Sequence, residues 1–550
     1  MSLTNKHIVH MVFLVIVAYF FFVWGNGIIS LTSPDEVFYV QTAKEMVRHC
    51  SWMTPYLFDA PQFEKPIFLY WLLRIAFVLF GVSSFGARFF PAVFAAIGVV
   101  GTYCFALFGF GDRRKALLSS LILASGGFYI GLARTVFTDM IFSVWILLAL
   151  LSFWAGYVRN SRQNLGVFLF FVFAGAAVLT KGPLGLIIPL CVVGIFLAVR
   201  KELNRIFCKR FLWGTMLFVL ITFPWYIFMV THYGNGFVHE FFVNCHIRRL
   251  FEAEHSFNDS WYFYPLTMIL GVFPWSLFTL AALAILFYRA VKNKEPLDLF
   301  LASWIVVTFS VFQVAHSKLA SYIFPLFPAL ALTTGNFIGD IKAPKNRARL
   351  FFLASWMTFA FCVLLAIALL VASSRASRYL SSLLPVYVLA GLWLVVSIAF
   401  ALFTARRYFL KGAYVLTSLL PLSLCVIPFL SKDIDPYVSS KGMAEYLLGH
   451  CAVDNTIIVS KMFTRGVRYY TDKNVAVIDI PGTPFFSPHP VPFLNSDAKV
   501  REFLSRQSRT FCILKAGSLK DMKRLTGSDF RLTPVKEMGN EYLVRVEKAE

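Results

Sequence analysis

Charge is what this sequence has least of. Only 15% of its 550 residues are Asp, Glu, Lys or Arg, while 58% are hydrophobic. A soluble domain carries about 25% charged and about 45–50% apolar residues, so an ordinary soluble enzyme is excluded. Acids are scarcer still, 29 against 51 bases, for a formal net charge of +22. In a soluble chain that excess would suggest nucleic acid. Here the bases sit mostly in short loops between apolar runs, where they set membrane orientation, and no nucleic-acid partner is expected. The nine cysteines are scattered, with no C-x-x-C among them. That argues against both a zinc site and a dense disulfide framework. Internal repeats, low-complexity segments and a Gly-rich phosphate loop are also missing.

What the chain does have is apolar length, with a mean hydropathy of +0.69. It reads as a polytopic α-helical membrane protein. A crossing helix needs about 20 mostly apolar residues. Thirteen stretches qualify: 8–31, 88–110, 116–134, 140–157, 166–180, 183–199, 211–231, 263–288, 299–315, 319–338, 350–372, 381–404 and 412–430. The first follows Lys6, exceeds a signal-peptide core and lacks a small-x-small cleavage site, so it reads as a retained helix. Ile67 to Phe80 is shorter, contains Arg74 and lies between Pro66 and Gly81, which predicts a helix at the membrane interface. The basic loops 111–115, 159–162, 200–210, 289–294, 341–349 and 405–411 then fall on the amino-terminal side. The amino terminus is therefore expected in the cytoplasm and the carboxyl terminus outside. From about Ser431 the apolar runs shorten to strand length. "NTIIVSKMF", "NVAVIDI", "FCILKA" and "YLVRVEK" read as strands and "SDAKVREFLSRQ" as a helix. The expected organisation is a membrane domain over 1–430, with an outer loop 32–87, and an extracytoplasmic α/β domain over 431–550.

On this map the unusual polar residues gather on the outer side. The first outer loop carries Asp35, Glu36, Glu64 and Lys65. Asp139, Lys181 in "LTKGPLG", His246, Arg248 and Arg249 in "HIRRL", Glu254 and His255 in "EAEHSF", and His316, Lys318 and Tyr322 follow. A single Lys or His at a helix end more often snorkels or anchors than acts. The convergence of acids and bases from five outer turns instead suits a substrate with an anionic head and an apolar tail. Lys65, Lys181, Lys318 and Arg249 are candidates to neutralise a phosphate, Arg249 with its bidentate fork. Asp35 and Asp139 could hold a metal, orient a sugar or act as a base. Glu64 with His246 is a candidate divalent-metal pair, two ligands being fewer than a zinc site uses. No organic cofactor is expected.

In order along the chain, "SPDEVFYVQTAKEM", "FEKPIFLYWL", "FGARFFPAVFA", "ARTVFTDM", "LTKGPLGLIIP", "HIRRL" and "SKLASYIFPLFPALAL" resemble the bacterial aminoarabinose transferase family. These are relatives of the protein O-mannosyltransferases among the superfamily C glycosyltransferases. The resemblance covers residues 1 to about 430 motif by motif, and the rest by position and α/β character. It implies an inner-membrane enzyme that moves a sugar from undecaprenyl phosphate to an outer-leaflet acceptor, a lipid A phosphate in the best-known members. It implies a catalytic role for Asp35 and an acidic role for Asp139, with Glu36 beside the first. Lys65, Arg249 and Tyr322 are implied as contacts of the carrier phosphate, and Glu64 with a loop histidine, His246 or His255, as metal ligands in some relatives. The chain departs from the family's usual Arg-Tyr and later Glu after "PDE", having Phe38-Tyr39 and Gln41, which bears on sugar specificity. A protein or glycan acceptor, and a lipid-linked sugar transporter, are the alternative readings. Transporters tend to show paired repeats and midplane charges, and this sequence shows neither.

Overall fold

The structure, a computed structural model, describes residues 5–158, 163–206, 208–252, 258–340, 345–485, 487, 489–525 and 529–549. The basic loop 159–162, residues 341–344, and Glu254 and His255 lie outside them.

Among the described residues nine helices are long and apolar enough to cross a membrane, and three bent pairs raise the number to twelve. These match twelve of the thirteen expected spans. The remaining stretch forms the helix Leu184–Val199, whose 16 residues rise about 24 Å, short of a hydrocarbon core of about 30 Å. The three bent pairs are what hydropathy alone misses. Arg113–Ala124 turns by 64° into Gly127–Ala133, and Phe263–Gly271 by 114° into Ser276–Lys292. Phe409–Leu424 turns by 53° into Ile427–Val438.

By compactness the chain divides into two units. The first comprises residues 1–26, 65–69 and 88–427. Its centre is aromatic: the rings of Phe105, Phe153, Trp154, Phe196, Phe300 and Trp304 contact one another in edge-on, tilted and stacked pairs. The buried indole of Trp304 donates to the carbonyl of Pro325, 3.1 Å away, so the polar end of the ring is satisfied within the apolar packing.

The second unit comprises residues 27–64, 70–87 and 428–550. It holds the helix Asp35–Arg48 and a two-stranded hairpin, β1 (Tyr56–Leu57) and β2 (Ala60–Pro61). Both loop residues of the hairpin, Phe58 and Asp59, have positive φ, which non-glycine residues rarely adopt. Each is held from outside the turn: Asp59 pairs with Arg468, and Phe58 packs on the His489 ring at 5.3 Å. The helix Phe68–Phe80 carries Arg74, the charge that interrupts its apolar run. The Arg74 guanidinium donates to the Ser51 carbonyl and lies 4.0 Å from the Trp52 ring, while Trp71 donates to the Trp52 carbonyl at 2.6 Å.

The carboxyl-terminal segment of this unit builds a six-stranded sheet. Its strands are β3 (Ile457–Ser460), β4 (Val475–Ile478), β5 (Phe493–Leu494), β6 (Arg509–Leu514), β7 (Phe530–Met538) and β8 (Glu541–Lys548). They lie in the order β5-β4-β3-β6-β8-β7, the first four parallel and the last two antiparallel. Ile458, Ile478, Val500, Leu504, Leu514, Met522 and Val544 are buried in its core. The four strands and the helix expected from sequence are present, and β5 and β7 are additional.

Candidate functional site

In the first unit the motif "LTKGPLG" ends a helix in a defined way. The helix Gln163–Lys181 stops where Gly182 takes φ +90° and Pro183 follows. A Cβ at Gly182 would come within 2.5 Å of the His246 Nε2 atom, so glycine serves both the turn and the approach of that ring. Lys181, the last helical residue, forms an ion pair with Asp139. Asp139 lies in the first turn of the helix Thr138–Val158, where the amide dipoles favour a carboxylate. Both side chains are almost completely shielded, 9% and 3% exposed.

The pair has company. The Lys181 ammonium sits 4.3 Å from the centroid of the Tyr322 ring and 5.6 Å from that of Phe142. Arg249 donates from Nη1 to the Tyr322 hydroxyl at 3.4 Å. Two main-chain bonds explain why "HIRRL" reaches "SKLASY": Ser317 N–H donates to the Arg249 carbonyl at 3.1 Å and His316 N–H to that of Leu250 at 3.3 Å. His246, in the π-helical stretch His239–Arg248, donates from Nδ1 to the Phe241 carbonyl at 2.6 Å and packs on the Phe241 ring at 4.7 Å. Lys65 and Arg249 both act electrostatically on it. Lys181 and Arg249 thus lie beside the Asp139 carboxylate and the Tyr322 ring, and Lys65 acts with Arg249 on the neighbouring His246.

Lys318 is not drawn into this cluster. Its buried ammonium donates to Asp259 Oδ1 at 2.9 Å, and the other carboxylate oxygen faces His316 Nδ1 at 2.8 Å. Hydrogen bonds from those two side chains hold the Asp259 carboxyl below the usual range. Asn258 donates to the Lys318 carbonyl at 3.0 Å, completing a knot that fixes the loop. No sequence pattern singles out Asp259, whose role depends on a partner 59 residues away.

In the second unit the adjacent acids of "PDE" separate by function of position. Both open the helix Asp35–Arg48, behind Pro34. Glu36 is fully buried and turns back to accept from Thr32 N–H and Oγ1, each at 2.9 Å. It therefore caps the turn that presents Asp35, which is exposed. Further along the helix Gln41 donates to Glu45 at 2.5 Å, both side chains fully buried. Glu45 also accepts from the Asp59 N–H at 2.8 Å and pairs with Arg468 at 3.7 Å. Arg468 and Glu45 were beyond sequence reading, being 423 residues apart. Glu64 is half-buried, its N–H donating to Gln62 Oε1 at 2.9 Å, and Gln62 donates to the Tyr70 hydroxyl at 2.6 Å.

A dedicated metal site does not emerge. Among the described residues no three His, Cys, Asp or Glu side chains come together, although His246, by donating from Nδ1 to a carbonyl, keeps its Nε2 as an acceptor. The donor set present does not fit a tightly held divalent ion.

Comparison with known proteins places the chain. The family model of dolichyl-phosphate-mannose-protein mannosyltransferases matches residues 7–239. An uncharacterised protein of Aquifex aeolicus is 30% identical over 61% of this chain and 65% of its own length. The undecaprenyl phosphate-alpha-4-amino-4-deoxy-L-arabinose arabinosyl transferase of Pectobacterium carotovorum is 30% identical over 62% of this chain and 60% of its own. The match thus spans somewhat under two thirds of these two relatives. The arabinosyl transferase of the same name in Shewanella sediminis is 31% identical over 74% of each chain. Among solved structures, ArnT from Cupriavidus metallidurans bound to undecaprenyl phosphate superposes with a TM-score of 0.78 at 18% identity, over 99% of this chain and 98% of that one. The Archaeoglobus fulgidus oligosaccharyltransferase gives 0.55 at 11% identity, over 97% of this chain and 74% of that one. The fold is that of the superfamily C glycosyltransferases, with a carboxyl-terminal sheet. On the strength of the Shewanella match, this multi-pass membrane chain belongs to the undecaprenyl phosphate–aminoarabinose arabinosyl transferase family.

Proposed function

We propose that the protein is an integral-membrane glycosyltransferase of the bacterial inner membrane. It moves a sugar, 4-amino-4-deoxy-L-arabinose or a related one, from undecaprenyl phosphate to lipid A or another outer-leaflet acceptor. Its amino terminus is cytoplasmic, and its reacting groups and sheet segment are periplasmic. The observation that carries the reading is the shielded cluster of Asp139, Lys181, Tyr322 and Arg249. Charged groups inside a membrane protein are costly and usually mark a function. A surplus of cations held beside a tyrosine hydroxyl, away from bulk water, suits a phosphate more than any neutral ligand.

The chemistry follows from where charge develops. As the glycosidic bond breaks, the carrier leaves as a phosphate whose negative charge grows. Arg249, Lys65 and the Tyr322 hydroxyl stabilise it, and the effect is large because the groups are preorganised and poorly solvated. Lys181 is held by Asp139 and so keeps its ammonium in place. A phosphate acceptor is already ionised at neutral pH and needs no strong base. Asp35 then orients the acceptor or pairs with an amino group on the sugar; with a hydroxyl acceptor it is the general base. Displacement proceeds in one step with inversion. Glu36 acts by holding Asp35, and Lys318 by holding its loop through Asp259. No step is routed through a metal. Glu64 and His246 remain metal candidates by resemblance only, and transfer unchanged after dialysis against a chelator would remove them.

The deciding experiment is mass spectrometry of lipid A from cells with and without the gene. A pentosamine-sized addition that depends on the gene is expected. Identical lipid A profiles would transfer the reading to a protein or glycan acceptor, an alternative that Phe38 and Gln41 keep open because they change the helix carrying Asp35.

A further inference from the structure

Two arginines lie one turn apart on the helix Thr464–Thr471 of the second unit, and they are used differently. Arg468 is matched by acids: it pairs with Asp59 and Glu45 and donates to Asn474 Oδ1 at 3.1 Å and to the Asp472 carbonyl at 3.4 Å. Arg465 has no carboxylate within ion-pair distance among the described residues, and its Nε, like that of Arg468, is buried without a hydrogen-bond partner. Its guanidinium carbon lies 4.7 Å from the centroid of the Phe38 ring and 5.7 Å from that of Phe485. Its Nη2 donates to His489 Nε2 at 3.0 Å.

That arrangement is built, not incidental. A guanidinium sandwiched by rings loses part of its water, and a structural arginine in such a place recovers the cost through a carboxylate, as Arg468 does. Arg465 is given a histidine instead. Burial, together with the Arg465 charge, pulls the His489 imidazole down to about 3, so the ring stays neutral and offers its Nε2 lone pair without cancelling the positive charge. His489 is itself wedged between Phe58 at 5.3 Å and Phe485 at 4.6 Å. The fork is thus positioned by aromatic walls and one neutral acceptor, and its charge is left for something else. Phe38 stands three residues after Asp35 on one helix, hence on the same face, about 5–6 Å away between Cβ atoms.

We propose that Arg465, walled by Phe38 and Phe485 and steadied by His489, is an anion-binding site for the phosphate ester of a glycolipid substrate, one helical turn from Asp35. The substrate class rests on the transferase reading above. Two substrates carry that chemistry: the polyprenyl phosphate of the donor and a phosphorylated acceptor.

The test reads binding, not turnover. Full-length protein in nanodiscs is titrated with undecaprenyl phosphate, with phosphorylated lipid A, and with the same lipid A after phosphatase treatment. Arg465→Met keeps the packing between the rings and Arg465→Gln keeps polarity, and thermal unfolding identifies the correctly folded variant to be compared. A charge-assisted contact predicts a roughly tenfold to hundredfold rise in Kd for one phosphorylated lipid, with dephosphorylated lipid A bound equally by both proteins. A loss confined to phosphorylated lipid A assigns the acceptor, and one confined to undecaprenyl phosphate assigns the donor. Equal affinity of a folded variant for every probe overturns the site. Wild-type protein that binds in an Arg465-dependent way but transfers no sugar would retain the site and discard the transferase reading.

Discussion

Two neighbouring carboxylates, Asp35 and Glu36, show how little a motif says about the division of labour within it. The letters of "PDE" mark both as acids at a helix start, and the helix then exposes one and buries the other beneath Thr32. Asp35→Asn is expected to leave the unfolding temperature unchanged and to lower kcat by about 10²–10⁴-fold if it serves as the general base. Glu36→Gln is expected to do the reverse, weakening two charge-assisted bonds at about 1.5–3 kcal/mol each while changing kcat far less in protein that still folds. Wild-type transfer by folded Asp35→Asn would end its catalytic assignment. Asp139 and Lys181 call for a different design, because removing either leaves a buried charge alone, typically at a cost of about 3–5 kcal/mol. Either single neutralisation should therefore lower the unfolding temperature sharply. The double variant Asp139→Asn/Lys181→Met should regain much of that stability without regaining transfer. A double variant that recovers both would show the pair to be structural only.

At the scale of elements, sequence reading worked where one physical rule dominates and failed where two compete. Hydropathy sums located the spans because some 20 apolar residues in a row leave few alternatives. The same sums passed over the bends at Gly126 and at Phe273-Pro274, since a change of direction does not alter an average. The carboxyl-terminal strands were legible from β-branched runs bounded by turn residues, but β7, "FRLTPVKEM", carries Pro534 at its register shift and too many charges to stand out. One strand has a pH signature that no pattern reveals. Glu541 opens β8, is 2% exposed, and accepts from Ser440 Oγ at 2.6 Å. Burial pushes its carboxyl up to about 7. A raised carboxyl favours the fold while protonated, so its contribution is complete below the ordinary value near 4.5 and disappears as pH rises through 7. The second unit should accordingly lose about 3 kcal/mol between pH 5 and pH 8 from this group. Glu541→Gln should flatten that dependence. Thermal unfolding as a function of pH checks it, and an unaltered slope in the variant would show that the carboxyl titrates normally.

For the molecule as a whole, the sheet segment is where composition was least informative. Read by itself, residues 431–550 lack an acid–base set, which favours a segment that merely docks. The contacts inside the second unit argue for more. Arg468 pairs with Glu45 and Asp59, Asp472 pairs with Lys44 and Arg48 at 2.9 Å each, and Asp435 accepts from Ser30 N–H and Oγ at 3.0 and 2.8 Å. Every one of these joins the helix that presents Asp35, its approach or the hairpin after it to sequence some 400 residues later, a separation over which no local rule operates. Ending the chain after Ile427 would remove all of them and leave the fully buried Glu45 without its guanidinium. The truncated protein should insert its spans and yet lose transfer by at least about a hundredfold, since the helix that presents Asp35 loses the ion pairs and packing that position it. Because truncation could act by general unfolding, Arg468→Met in the full chain is the sharper version. It should destabilise the second unit and depress transfer, and adding Glu45→Gln, which removes the stranded charge, should restore part of both. Undiminished transfer by the truncated chain would mean that Asp35 is held in place without the sheet, and that these ion pairs only dock it.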